Sequence, residues 1–290
     1  MFAEEWPLMM FTLISQLAIG SFLMLVWVRF SLHKHDAAMA AKLTNPGFKA
    51  VGVIMSLALL LSVLHLGAPM GAYRSILNLR FSWLSREIVT AGGFLFFWFL
   101  SYRAYQKETA SNAPAWFTSL LGLFVVLSMS NIYSHSIRPA WTDANTYIAF
   151  FGATFTLGSL GTAAFIVYGA RGTELTSAVI DQLKKMSLIA GVAVILPLLY
   201  LPIYISTLAN GNAAAQQSVQ LLTGSYQFLL TLRGLLSLAG AGIISYAIWR
   251  AGNDTQQRWV YLALVLVMIG EFLGRFVFYG SAVSITIGLN

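Results

Sequence analysis

The chain has 290 residues, 58% of them hydrophobic and only 9% charged, with 17 Lys and Arg against 10 Asp and Glu for a net charge of +7. Soluble domains carry roughly 25% charged residues, so this composition cannot furnish a water-soluble surface. With no cysteine, disulfides, thiolate zinc sites and Fe–S clusters on ordinary thiolate ligands are excluded, and any Fe–S chemistry must belong to a partner.

Apolar material comes in blocks of about 20 residues, the length that crosses roughly 30 Å of hydrocarbon at 1.5 Å per residue. The fold class is therefore predicted as all-α: a polytopic membrane helix bundle of about eight transmembrane helices, forming a single membrane domain over residues 1–290. The first helix is expected near 7–30. Met1 to Trp6 carries Glu4 and Glu5 but no Lys or Arg, and no small-residue cleavage site follows, so this is a spanning helix and not a signal peptide. The second, near 49–67, carries His65 shortly before Gly67 and Pro69; His65 lies 16 residues beyond Lys49, roughly 24 Å along the helix. A long connection, about 68–84, follows with Arg74, Asn78, Arg80, Ser82 and Trp83, and is a candidate docking surface.

The third helix, near 85–101, opens on Arg86 and Glu87, and the fourth and fifth are expected near 115–134 and 146–168. The sixth, near 186–208, is bent by Pro197 and Pro202, which remove backbone donors. A connection at about 209–225 has no charge and suits a short interfacial helix. The seventh helix, near 226–249, carries Arg233, and the eighth, near 257–280, carries Glu271 and Arg275 beside a Gly270-x-x-x-Gly274 packing motif.

Orientation follows from the basic residues of the short loops. Arg29, Lys34, Lys42, Lys49, Arg103, Lys107, Arg171, Lys184, Lys185, Arg250 and Arg258 fall on one side; Arg74, Arg80, Arg86 and Arg138 fall on the other. The bias of eleven to four places both termini outside, which is the periplasmic face of a bacterial inner membrane.

An ionisable side chain inside a spanning segment costs several kcal/mol unless paired or hydrated, so each is a functional candidate. His65, Glu87, Arg233, Glu271 and Arg275 come from four separate stretches and fall at one depth, the outer half of the membrane. Each also has a structural reading. His65 could hydrogen-bond across a helix interface, Glu87 suits the positive end of a helix dipole, and Glu271 and Arg275, four apart, could neutralise each other. Haem between His65 and His135 is conceivable but disfavoured, because His135 falls at the very end of helix four.

The set fits quinol oxidation. A quinol must lose two electrons and two protons, and a neutral His and a carboxylate can each take one proton. Nearby arginines would keep Glu87 ionised or face an acidic partner. A transporter would need ionisable residues reaching the inner face, which the sequence does not supply. A passive anchor would keep the helices and leave His65 and Glu87 dispensable.

Leu64-His65-Leu66-Gly67-Ala68-Pro69, Ala72-Tyr73-Arg74-Ser75-Ile76-Leu77-Asn78-Leu79-Arg80 and Ser82-Trp83-Leu84-Ser85-Arg86-Glu87 together resemble the signature of the DmsC family, anchor subunits of dimethyl sulfoxide reductase and related molybdoenzymes. Trp6-Pro7-Leu8 and Gly270-Glu271-x-x-Gly274-Arg275-x-x-Phe278-Tyr279-Gly280 resemble the same family, so the likeness covers nearly the whole chain. It implies an eight-helix anchor in a heterotrimer, with a four-cluster Fe–S subunit and a catalytic subunit holding molybdopterin guanine dinucleotide. It further implies a subunit that oxidises menaquinol in anaerobic respiration, carries no haem or metal, and does not act on the terminal substrate. The quinol-site residues implied are His65 and Glu87, with Arg74, Arg80, Arg86, Glu271 and Arg275 as supporting or docking residues. Anchors of polysulfide, tetrathionate or selenate reductases share the general design and form the alternative.

Overall fold

The computed structural model describes residues 2–64, 78–107, 112–171, 173, 175–250 and 255–285. His65, Arg74 and most of the connection at 68–84 lie outside the described residues. Nine helices appear among those described: α1 (Phe2–His33), α2 (Ala37–Leu64), α3 (Trp83–Gln106), α4 (Ala113–Ser134), α5 (Asn145–Gly169), α6 (Ser177–Ala209), α7 (Ala213–Thr223), α8 (Gln227–Arg250) and α9 (Thr255–Gly280).

Seven of the nine are long and apolar enough to cross a membrane. The predicted third span corresponds to α3, whose 24 residues are long enough to cross, though Gly92, Gly93, Trp98, Tyr102 and Arg103 dilute its apolar content. The ninth is the short α7, 11 residues in the chargeless connection, capped where Asn212 Oδ1 accepts from Ala215 N at 3.0 Å. Its buried Ala214, Ser218 and Leu222 recur every fourth residue, one face against the bundle. Two helices begin well before their apolar blocks, α2 at Ala37 and α6 at Ser177. The reason is that hydropathy reports where hydrocarbon begins, whereas backbone hydrogen bonding continues through polar helix formers such as Lys42, Gln182 and Lys184.

Helices α1 and α5 form the centre, 78% and 83% buried, against 28% for each of α6 and α8 at the periphery. The peripheral helices turn Val53, Leu57, Leu60, Leu188, Leu199 and Leu235 outward. That pattern is inverted for a soluble protein and correct for one whose solvent is lipid. Lipid gives no hydrophobic drive for helix association, so the central pair is held by closeness. A methyl placed on Gly20 would be driven into the Thr154 carbonyl oxygen, and one on Gly158 would be driven into the Gly20 backbone. Thr162 Oγ1 donates to the Ser21 carbonyl across the same seam at 3.2 Å. At one end of the bundle, Arg29 ties α1 to α2 by donating to Thr44 Oγ1 at 3.1 Å and Asn45 Oδ1 at 2.7 Å.

Candidate functional site

Among the described residues, Glu87, Arg233, Glu271 and Arg275 gather at the opposite end, where α3 begins and α4 and α9 finish. Ser82 caps α3, its hydroxyl accepting from Ser85 N at 3.2 Å. Ser85 and Glu87 are both buried, whereas Arg86 between them is partly exposed. Glu87 is only 5% exposed, and no described side chain donates to its carboxylate or pairs with it. A carboxylate buried this far calls for an explanation, in a partner or in a function.

Arg86 is not that explanation. Its Nε donates to the Leu79 carbonyl at 2.9 Å and its Nη2 to the Arg80 carbonyl at 2.7 Å, while the guanidinium lies 4.1 Å from the centre of the Trp83 ring. It pins the turn before α3, and it is not paired with Glu87. Arg80 is exposed in that turn beside Phe81, which is 77% exposed. His135 packs its ring against Trp83, 6.0 Å between centres, and its Nδ1 lies 3.0 Å from the Asn131 carbonyl oxygen.

Glu271 and Arg275 share one face of α9, as their spacing predicts, but their closest partners lie on other helices. Glu271 Oε2 is 3.7 Å from Arg233 Nη2 on α8, and Arg275 Nη2 donates to Gln16 Oε1 on α1 at 2.9 Å. The Gly270-x-x-x-Gly274 motif makes the first contact possible. A methyl at Gly274 would overlap Arg233 Nε, and one at Gly270 would sit 2.5 Å from Ser237 Oγ. These glycines admit a charged side chain of α8 against the α9 backbone. Arg233→Ala would remove the cation closest to the largely buried Glu271 carboxylate and is expected to destabilise the bundle. A marked loss of thermal stability in detergent is expected, and an unchanged melting temperature would contradict the pairing.

Two further residues belong to this end, Tyr133 and Gln16, which sequence reasoning missed. The hydroxyls of Tyr133 on α4 and Tyr279 on α9 are hydrogen-bonded to each other, and both residues are buried. Tyr133 lies within electrostatic range of both Glu87 and Arg275. An aromatic cluster encloses the pair: Trp141 stacks on Phe278 at 5.5 Å, and Phe150 packs against Tyr133 at 5.4 Å. Arg275 lies 3.8 Å from the centre of the Phe150 ring. The available signal was an amide in the middle of the first span and a polar run, Ser130-Asn131-Ile132-Tyr133-Ser134, ending the fourth.

Beside Arg233, Glu271 and Arg275 lies a cleft of about 40 Å³, lined also by Asn145, Tyr204 and Ser281. That is room for water in a polar setting. Among the described residues, no group of three His, Asp or Glu side chains converges as a metal site. Chemically, this end combines a buried carboxylate, a hydroxyl pair and a charged cluster.

The family model described as DMSO reductase anchor subunit (DmsC) matches residues 1–281. The sequence is similar to YnfH, an anaerobic dimethyl sulfoxide reductase chain of Escherichia coli K12, at 29% identity over 294 residues covering 99% of this sequence and 97% of that protein. The C subunit of anaerobic dimethyl sulfoxide reductase from the same strain is 28% identical over 99% of this sequence and 97% of its own length. Its namesake in Haemophilus influenzae Rd is 23% identical, with 95% of this sequence and 94% of that protein covered. With a family match across almost its full length and a bundle of lipid-facing helices, this chain belongs to the DmsC family, the integral inner-membrane anchor subunits of dimethyl sulfoxide reductase complexes.

Proposed function

We propose that this subunit oxidises menaquinol at the Glu87 end of the bundle and hands the electrons to an Fe–S partner subunit, which passes them to a molybdopterin-bearing catalytic subunit. The observation that carries the reading is the Glu87 carboxylate, 5% exposed and without a donor among the described residues. Burying a carboxylate is costly, and a proton-accepting role gives a reason to keep it there. His65 stands 22 positions earlier in the chain, in the segment that joins α2 to α3, and supplies the second acceptor.

In this scheme the two O–H bonds of the quinol break. One proton goes to the neutral His65 imidazole and the other to the Glu87 carboxylate, and both electrons go to the partner's nearest cluster. No group among the side chains of this protein carries electrons onward. Arg74, Arg80 and Arg86 are assigned to docking, and with exposed Phe81 beside Arg80 a cationic rim with an apolar anchor suits an acidic partner surface. Glu271 and Arg275 support the site from across the bundle. The protein is read as one membrane domain in a heterotrimer, with both termini periplasmic.

Substituting His65→Ala or Glu87→Gln tests the reading: the complex should assemble and quinol oxidation should slow. Loss of assembly, or wild-type turnover, would overturn it. The orientation makes a separate prediction. Because protons and electrons leave on the same side, proteoliposomes turning over with quinol should develop no membrane potential, and a dye-detected potential would refute that placement.

A further inference from the structure

We propose that the basic end of α6 and α8 binds one anionic phospholipid, with its phosphate on Lys184 and Arg250, its headgroup against Trp249 and one acyl chain in the apolar cleft between α5 and α6. The site stands apart from Glu87 and does not depend on the quinol reading. Thr176, just before α6, donates its hydroxyl to Met39 Sδ near the start of α2 at 3.8 Å, so α6 begins at the Arg29 end of the bundle.

Lys184 Nζ lies 4.8 Å from the centre of the Trp249 ring, so a cation of α6 rests on an aromatic of α8. On the same helix, Arg250 Nη1 donates to the Tyr246 hydroxyl at 2.8 Å. Trp249 and Tyr246 are 67% and 61% exposed, on a helix whose outer face meets lipid. Other exposed cations of this end also meet rings: Lys34 on Phe30, Arg103 on Phe99 and Arg171 on Tyr168, each with its partner three or four positions away in the chain. Basic loops beside an aromatic belt produce local pairs of that kind by themselves. The Lys184–Trp249 contact differs, because it crosses from one spanning helix to another and gathers Lys184 and Arg250 into one patch.

That patch has charge to offer. Asp181, in the first turns of α6, is held by Lys185 at 2.7 Å, and no described carboxylate pairs with Lys184 or Arg250. Two cations at the depth of the headgroups favour an anion there, and a guanidinium and an ammonium both suit phosphate oxygens. A quinol carries no such anion, so the cations select a phosphodiester.

The cleft supplies room for a chain. Its volume is about 550 Å³, and its walls are Ile148, Phe151 and Phe155 of α5 and Leu188, Val192 and Leu196 of α6. Along α6 it starts at Leu188, one turn from Lys184, and runs roughly 12 Å to Leu196. At its far end the Tyr147 hydroxyl is already engaged, donating to Asn131 Oδ1 at 3.0 Å. What the cleft presents to a ligand is therefore hydrocarbon, and free phosphate gains nothing from it.

The test uses the complex purified from membranes in mild detergent, titrated with dioleoyl phosphatidylglycerol, with bound lipid read by native mass spectrometry. One molecule should bind, and dioleoyl phosphatidylcholine, which has the same chains and no net charge, should bind at least about fivefold more weakly. A large excess of inorganic phosphate should not displace the lipid. Lys184→Gln and Arg250→Gln should each weaken phosphatidylglycerol binding about fivefold, and the double variant about thirtyfold. Lys34→Gln and Arg171→Gln, which remove cations from local pairs of the same end, should leave it unchanged. Val192→Trp fills the cleft without changing charge and should weaken both lipids. Equal affinity for the two lipids, displacement by inorganic phosphate, equal losses in the Lys34 and Arg171 variants, or full binding by Val192→Trp would each overturn the site. Should a glutamine variant fail to assemble, the comparison of the two lipids and phosphate on the wild-type complex still decides.

Discussion

Glu87→Gln is expected to reduce quinol-dependent turnover of the assembled complex by two orders of magnitude or more, the usual range for loss of a positioned general base being about 10²–10⁴. The amide has almost the same shape as the carboxylate but cannot accept a proton to become neutral. Assembly should survive, because no described residue pairs with or donates to the carboxylate, so the substitution breaks no observed bond. It also removes the cost of burying an ionisable group in a membrane span. The change should appear in kcat more than in KM, since what is lost is an interaction made as the proton moves. Turnover of membranes with a soluble menaquinol analogue measures it, normalised to the activity driven by a soluble reduced dye that feeds the partner subunits directly. Wild-type turnover would leave the subunit as a passive anchor. A smaller effect is expected of Arg80→Ala, at the exposed rim, than of any change at the buried carboxylate.

Gly158→Ala should have the largest effect on the stability of the protein itself. Its added methyl would overlap the Gly20 carbonyl carbon and lie 2.5 Å from Gly20 Cα, and these atoms belong to a helix backbone that has no rotamer to change. Helices α1 and α5 must therefore separate at the centre of the bundle. Overpacking a tight core costs typically about 1–3 kcal/mol, and a seam of two backbones stands at the upper end of that range. Gly242 on α8 provides the control, since a methyl there meets nothing within 4 Å. Gly242→Ala should be neutral to within about 0.5 kcal/mol, as is usual for substitutions away from packed features. Melting temperatures of the two variants in detergent give the comparison, and equal values would show that the α1–α5 contact is looser than its geometry.

Particular residues show how far the sequence could be read. The depth at which Glu87, Glu271 and Arg275 gather followed from counting residues along spans, because a helix rises by a constant amount per residue and neighbouring helices run antiparallel. The family followed from motifs at both ends of the sequence. The partners of those charges did not follow. Spacing of four offered Arg275 to Glu271, but Arg233 on another helix reaches it through the gap left by Gly270 and Gly274. Adjacency offered Arg86 to Glu87, yet successive residues of a helix point about 100° apart, and Arg86 turns outward to carbonyls of the preceding turn. His65 and Arg74 remain readings of sequence and family likeness, since they lie outside the described residues.

The Tyr133–Tyr279 contact joins residues 146 positions apart, and no local periodicity encodes it. What the sequence by itself determined is the medium and the class of structure: apolar blocks of spanning length admit only a helical membrane bundle, because hydrocarbon leaves the backbone no other way to satisfy its hydrogen bonds. It also put Glu87, Arg233, Glu271 and Arg275 at a common depth. Only the tertiary structure decided which of them meet. In a bundle of near-parallel rods the facing of each helix is set by small residues and aromatic packing on its neighbours, and that rotation selects Arg233 for Glu271, Gln16 for Arg275 and Tyr279 for Tyr133.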